Sequence, residues 1–129
     1  MAESIKNSGF YKILIVDDDT NVIESVKEVL SMIEKKMVVE TAQDGVIASM
    51  KIIDFLPDLV ILDIGLPGQS GAGVCKLLKM NRNLGDTKVL VLSAYADRLK
   101  ELLDLGADIA LEKPVDAFVL EKEICKLLN

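Results

Sequence analysis

Three aspartates stand in a row in "ILIVDDDTNV": Asp17, Asp18 and Asp19 directly follow four apolar residues. Adjacent carboxylates repel one another, so the cluster either sits in a solvated turn or surrounds something positive. Other reactive side chains close apolar runs in the same way. Asp63 follows "LVIL", Ser93 follows "KVLVL", and Lys113 with Pro114 comes shortly after "IAL". Asp17, Asp18 and Asp63 form an oxygen-only donor set suited to Mg²⁺, which takes one or two carboxylates directly and keeps several waters. A lysine and a hydroxyl beside such a cation make a phosphoryl-binding set. Each residue taken singly has a plainer reading. A lone Asp after a strand is commonly a turn residue or a helix N-cap, and for Asp19 and Thr20 that reading stands, one of the two capping the next helix. Lys113 alone would be a counter-ion for acids, and Ser93 alone an ordinary strand-end serine. With no cation bound, three converged acids strain one another, so removing Asp17 or Asp18 is expected to raise the melting temperature.

Composition narrows the chemistry. The 129 residues contain no histidine, which excludes a Ser-His-Asp triad, a His-ligated zinc site and a histidine phosphocarrier. Fifteen Lys and Arg against 21 Asp and Glu give a net charge of −6, and no basic cluster offsets it. Direct binding of nucleic acid or of an anionic membrane by this domain is therefore not expected. Trp is absent and aromatics are scarce, which removes a base-stacking platform. No apolar run approaches the roughly 18 residues that span a bilayer, and the opening "MAESIKNSGFYK" lacks a secretory signal, so the expected location is cytoplasmic. Cys75 and Cys125 lie in helical patterns and read as small core or interhelix residues.

The elements that must position these groups are legible as alternating patterns. Strands are predicted at 12–16, 37–41, 59–62, 88–92 and 109–111, the middle ones continuously apolar, as strands buried on both faces are. Helices are predicted between them. The first carries Val22, Val26, Val29, Leu30 and Ile33 on one stripe. The others cover 43–55, 71–80, 96–105 (closing at Gly106) and 116–128, with Asp116 as N-cap. Five βα repeats predict an α/β fold, a five-stranded parallel sheet flanked by five helices. Ligands of such sheets bind beyond the carboxyl ends of the strands, where Asp17, Asp18, Asp63, Ser93 and Lys113 all fall. Residues 1–11 read as a flexible tail and 12–129 as the domain.

The motifs "ILIVDD", "PDLVILDIGLPGQSG", "VLVLSA" and "GADIALEKP", in that order, resemble the receiver domain of two-component response regulators. The resemblance covers residues 12–128. It implies a flavodoxin-like (βα)₅ fold with strand order 2-1-3-4-5. It also implies that Asp63 accepts a phosphoryl group, in a Mg²⁺-dependent reaction, from a sensor histidine kinase or phosphotransfer protein. Asp18 and Asp63, with the backbone carbonyl of Gly65, would hold Mg²⁺ directly, and Asp17 would act through water. Ser93 and Lys113 would bind phosphoryl oxygens, and Pro114 would follow a cis peptide bond. The domain would then be a switch, not an enzyme, signalling to a downstream output protein or a fused output domain.

One departure bears on switching. Where the family usually has Tyr or Phe, three residues before the lysine, this chain has Ala110; lesser departures are Ile109 and Ser70. Tyr95, two residues past Ser93, is the nearest aromatic that could take over by reorienting across the phosphorylated site. Three other readings compete. A calcium-binding loop could start at Asp17, but Val22 stands where glycine is needed. A haloacid dehalogenase-type hydrolase would make Asp17 the nucleophile and Asp19 the acid/base, but Asn21 and "EKP" depart from that pattern. A degenerate receiver is disfavoured because all five chemical positions are intact.

Overall fold

A computed structural model describes residues 9–64, 71–80 and 86–129. Five strands alternate with helices along the chain: β1 (Tyr11–Val16), β2 (Met37–Ala42), β3 (Leu59–Asp63), β4 (Lys88–Ser93) and β5 (Ile109–Glu112). They pair in parallel in the order β2-β1-β3-β4-β5. Every residue of β3 is buried, as is all of β4 after its first residue, because helices cover both faces of the sheet. The helices are α1 (Thr20–Ser31), α2 (Gly45–Phe55), α3 (Gly71–Met80), α4 (Leu99–Asp104) and α5 (Ala117–Leu128).

Alternate strand residues feed two cores. Leu14, Val16, Val60, Leu62, Val89 and Val91 pack with α2, α3 and α4 through Ile52, Leu78 and Leu102. Ile13, Ile15, Leu59, Ile61, Leu90 and Leu92 pack with α1 and α5 through Val26, Val29, Leu120 and Ile124. Cys75 is fully buried in the first core and Cys125 packs at the margin of the second, as small interior residues.

Helix starts follow local capping chemistry. Asp19 caps α1 by accepting the Asn21 N–H, which resolves the choice between Asp19 and Thr20. Asp116 caps α5 as expected. Asp44 caps α2 through the Ile47 N–H, so that helix begins at Gly45 and not at residue 43. The predicted helix over 96–105 divides into a 3₁₀ turn at Ala96–Arg98 and the short α4. Gly106 ends it with φ +114°, and a Cβ there would also meet Lys79 Cγ at 2.5 Å.

β1 ends at Val16 as predicted, and Asp63 and Ser93 are the last residues of β3 and β4, as their place closing the apolar runs suggests. Register, not loop conformation, therefore sets their height on the sheet.

Candidate functional site

Asp17 and Asp63 are neighbours because β1 and β3 are in register. Val16 stands opposite Leu62, so the next residue of each strand emerges at the same level. The Asp17 N–H donates to the Ala42 carbonyl at 3.1 Å, extending the β1–β2 ladder by one rung. Asp17 is 2% exposed and Asp63 8%, whereas Asp18 is exposed. Carboxylate oxygens of all three lie within 4.8 Å of one another.

Lys113 arrives from the far side of the sheet. Its N–H donates to the Ser93 carbonyl at 2.7 Å, which holds the backbone against the end of β4. The Lys113–Pro114 peptide is cis, in keeping with the family resemblance. The ammonium Nζ donates to Asp63 Oδ1 at 2.7 Å and to Asp17 Oδ2 at 3.1 Å. Lys113 is thus a counter-ion for the acids, bridging Asp17 and Asp63.

Burial pushes the Asp63 carboxyl above its ordinary value of 3.8, the Lys113 hydrogen bond pulls it down, and Asp17 and Asp18 add repulsion. For Lys113, burial works against the charged form, but the hydrogen bonds to Asp63 and Asp17 prevail. They hold the ammonium above its ordinary value of 10.5.

Ser93 is fully buried, and its hydroxyl is engaged locally. Oγ accepts the Tyr95 N–H at 3.0 Å and donates to the Tyr95 carbonyl at 3.2 Å. Serine favours such a local turn because its hydroxyl can bond backbone groups two residues on. Tyr95 itself is 62% exposed. Ala110 stands beside Val91 in the β4–β5 register, half-buried. Gly65 and Ser70 lie outside the described residues, so the Gly65 carbonyl remains a sequence-based expectation.

The donor set suits a hard divalent cation: three carboxylates, no imidazole and no thiolate. Among the described residues it is the one cluster of three or more acidic or thiol groups disposed to hold a metal. A calcium loop starting at Asp17 is incompatible with this geometry, since α1 begins at Thr20 and Val22 lies within it.

Comparison with known proteins agrees with the fold. The family model for the response regulator receiver domain matches residues 13–125. "Response regulator MprA" of Mycobacterium sp. (strain KMS) is 40% identical over 119 residues, covering 90% of this chain and 48% of that protein. The chain thus spans about half the length of the curated relatives it matches. Among solved structures, a CheY-like response regulator receiver domain from Methanospirillum hungatei JF-1 superposes with TM-score 0.81 at 30% identity, covering 92% of this chain and 94% of that one. The BeF3-activated DrrB receiver domain superposes with TM-score 0.76 at 26% identity, covering 92% and 97%. With the strand order, the carboxylate cluster and a family match over most of its length, the chain belongs to the response regulator receiver domains of two-component signal transduction.

Proposed function

We propose that Asp63 is the phospho-acceptor of this receiver domain and that the phosphoryl group comes from a phosphohistidine of a sensor kinase or phosphotransfer protein. One observation carries this reading: a buried carboxylate within 4.8 Å of two others, with the Lys113 ammonium 2.7 Å away. An Asp63 carboxylate oxygen attacks phosphorus. A P–O bond forms, the P–N bond breaks, and the histidine nitrogen keeps the electron pair. Asp17, Asp18 and Asp63, with the Gly65 carbonyl, would hold Mg²⁺, whose charge would offset that of the incoming phosphoryl group. Lys113, freed from the Asp63 oxygen that becomes esterified, pairs with a phosphoryl oxygen. Ser93 turns its hydroxyl proton from the Tyr95 carbonyl to another phosphoryl oxygen. The unit is that expected over residues 12–129 with Tyr11, the first residue of β1, added, and it acts in the cytoplasm as a stoichiometric switch and not as a turnover enzyme. Its output passes to a separate protein or to a fused output domain.

Asp63→Ala is expected to abolish labelling by acetyl phosphate, with wild type labelled only when Mg²⁺ is present. Intact mass spectrometry reads the adduct directly, and an unchanged adduct in Asp63→Ala would refute the assignment. Repeated turnover of a small phosphate monoester would favour a hydrolase instead.

A further inference from the structure

Asp17 is held from two sides. Its N–H donates to the Ala42 carbonyl at 3.1 Å, which keeps its backbone on the β1–β2 ladder. Its carboxylate accepts from the Asp19 N–H at 2.9 Å through Oδ1 and from the Lys113 ammonium at 3.1 Å through Oδ2. Both oxygens therefore have partners, and the side chain is only 3% exposed. The Asp19 N–H belongs to the N-cap residue of α1, so Oδ1 is tied to the start of a helix. Lys113 is anchored less firmly. Its side chain is 24% exposed, and among the described residues its ammonium is held by Asp63 and Asp17 alone.

The Asp63 bond is the one that phosphoryl transfer removes. An esterified Asp63 oxygen loses its charge, and Lys113 then loses the shorter of its two bonds, 2.7 Å long. A lysine with no other anchor would regain the freedom of its four-carbon stem just when its charge must meet a phosphoryl oxygen. Asp17 is not consumed. In the sheet order, Lys113 reaches from β5 across β4 to Asp63 on β3, and β1, which ends beside Asp17, lies one strand spacing of about 4.8 Å beyond. The ammonium is thus stretched over the site between two carboxylates, one of which outlasts the reaction. Asp17 alone would repel an incoming phosphoryl group, but paired with Lys113 the two carry no net charge.

We propose that Asp17 is the positioning residue for Lys113, retaining the ammonium at the site while Asp63 is esterified. Lys113 then meets the phosphoryl oxygen already ordered. This rests on Asp63 being the acceptor. It is separable from any part Asp17 takes in holding Mg²⁺, because a weakened cation site is refilled by raising the Mg²⁺ concentration and a misplaced lysine is not.

Asp17→Asn tests it, since the amide keeps the shape and an acceptor for the Asp19 N–H but removes the charge. The rate of labelling by acetyl phosphate, followed by intact mass at saturating Mg²⁺, is expected to fall about tenfold and not to recover with more Mg²⁺. Lys113→Met is expected to lower the rate at least as far. Adding Asp17→Asn to Lys113→Met is expected to lower it no further, because the lysine through which Asp17 acts is gone. A second readout needs neither cation nor phosphoryl donor. In EDTA, NMR of the Lys113 Nζ is expected to show ammonium protons that exchange slowly with water in wild type and in Asp18→Asn, and quickly in Asp17→Asn. Melting curves check that each variant folds. A wild-type rate restored to Asp17→Asn by Mg²⁺ would make Asp17 a cation ligand alone and overturn the proposal. So would losses that add in the double variant, or ammonium exchange as fast in wild type as in Asp17→Asn. Labelling that persists in Asp63→Ala would instead refute the acceptor assignment, and the exchange comparison distinguishes that failure because it does not involve the acceptor chemistry.

Discussion

Asp17 and Asp18 are adjacent in sequence but occupy unlike environments. Asp17 is buried, accepts the Asp19 N–H at 2.9 Å through Oδ1 and holds Lys113 at 3.1 Å through Oδ2. Asp18 is exposed and has no side-chain hydrogen bond or ion pair among the described residues. Removing either acid relieves repulsion on Asp63, but only removal of Asp17 also breaks two hydrogen bonds. The shared expectation of a higher melting temperature therefore divides. In EDTA, Asp18→Ala is expected to melt slightly above wild type and Asp17→Ala below it, by about 1 kcal/mol, in scanning calorimetry. Both should weaken Mg²⁺ binding, Asp18→Ala more so, as the loss of a direct ligand. The raised Asp63 value has a consequence for pH. Because its folded-state value lies above the unfolded one, the cation-free fold is favoured at low pH and loses that contribution as pH climbs above 3.8 through the folded-state value. Asp63→Asn should flatten this part of the pH–melting profile, and a profile identical to wild type would count against a buried, partly uncompensated Asp63.

At the scale of elements, the loop after β4 joins the site to the surface. The Ser93 hydroxyl donates its one proton to the Tyr95 carbonyl and accepts the Tyr95 N–H, so donating to a phosphoryl oxygen would cost the bond to the carbonyl while the N–H bond can stay. The 3₁₀ turn follows immediately, with the Arg98 N–H donating to the Tyr95 carbonyl at 3.0 Å. The same carbonyl thus accepts from Ser93 and from Arg98, the N-cap of α4. With Ala110 in place of a ring, the exposed Tyr95 is the aromatic that carries this shared carbonyl. Tyr95→Ala is expected to leave Asp63 able to accept a phosphoryl group but to shorten the lifetime of the phosphorylated form severalfold. Amide shifts on activation in residues 94–113 should shrink as well. Unchanged dephosphorylation kinetics with a wild-type shift pattern would assign Tyr95 to loop cover alone.

Over the whole molecule, stability resides in two cores that share the central strands β1, β3 and β4. Cys75 lies within the first, and burial pushes its thiol up to about 11. Both its inaccessibility and its low thiolate fraction oppose reaction. At pH 8 a thiol reagent should modify the half-buried Cys125 in the native protein. Cys75 should react at least about a thousandfold more slowly, through cooperative opening of the core. Quantitation by peptide mass checks this, and equal rates would mean that the α3 face of the sheet opens without global unfolding. None of the helices, among the described residues, is long and apolar enough to cross a membrane.

Residue types, their order and the alternation of apolar runs determined much of this protein in advance. The absence of histidine, the five βα repeats and the acids closing β1 and β3 follow from periodicity and composition, which are local properties. The roles of individual acids do not. Asp58 and Asp108 also border apolar runs, yet they lie at the amino edge of the sheet and serve the backbone. Asp58 accepts the Lys12 N–H and Asp108 the Val89 N–H, each at 2.8 Å. Position before or after "LVIL" separates Asp58 from Asp63 in the sequence, but the partners of Asp63 are not local: strand register sets it beside Asp17 and carries Lys113 to Asp17 across 96 residues of chain. A carboxylate's charge state and function depend on which groups stand within hydrogen-bond reach, and here the decisive ones come from distant strands brought together only when the sheet forms.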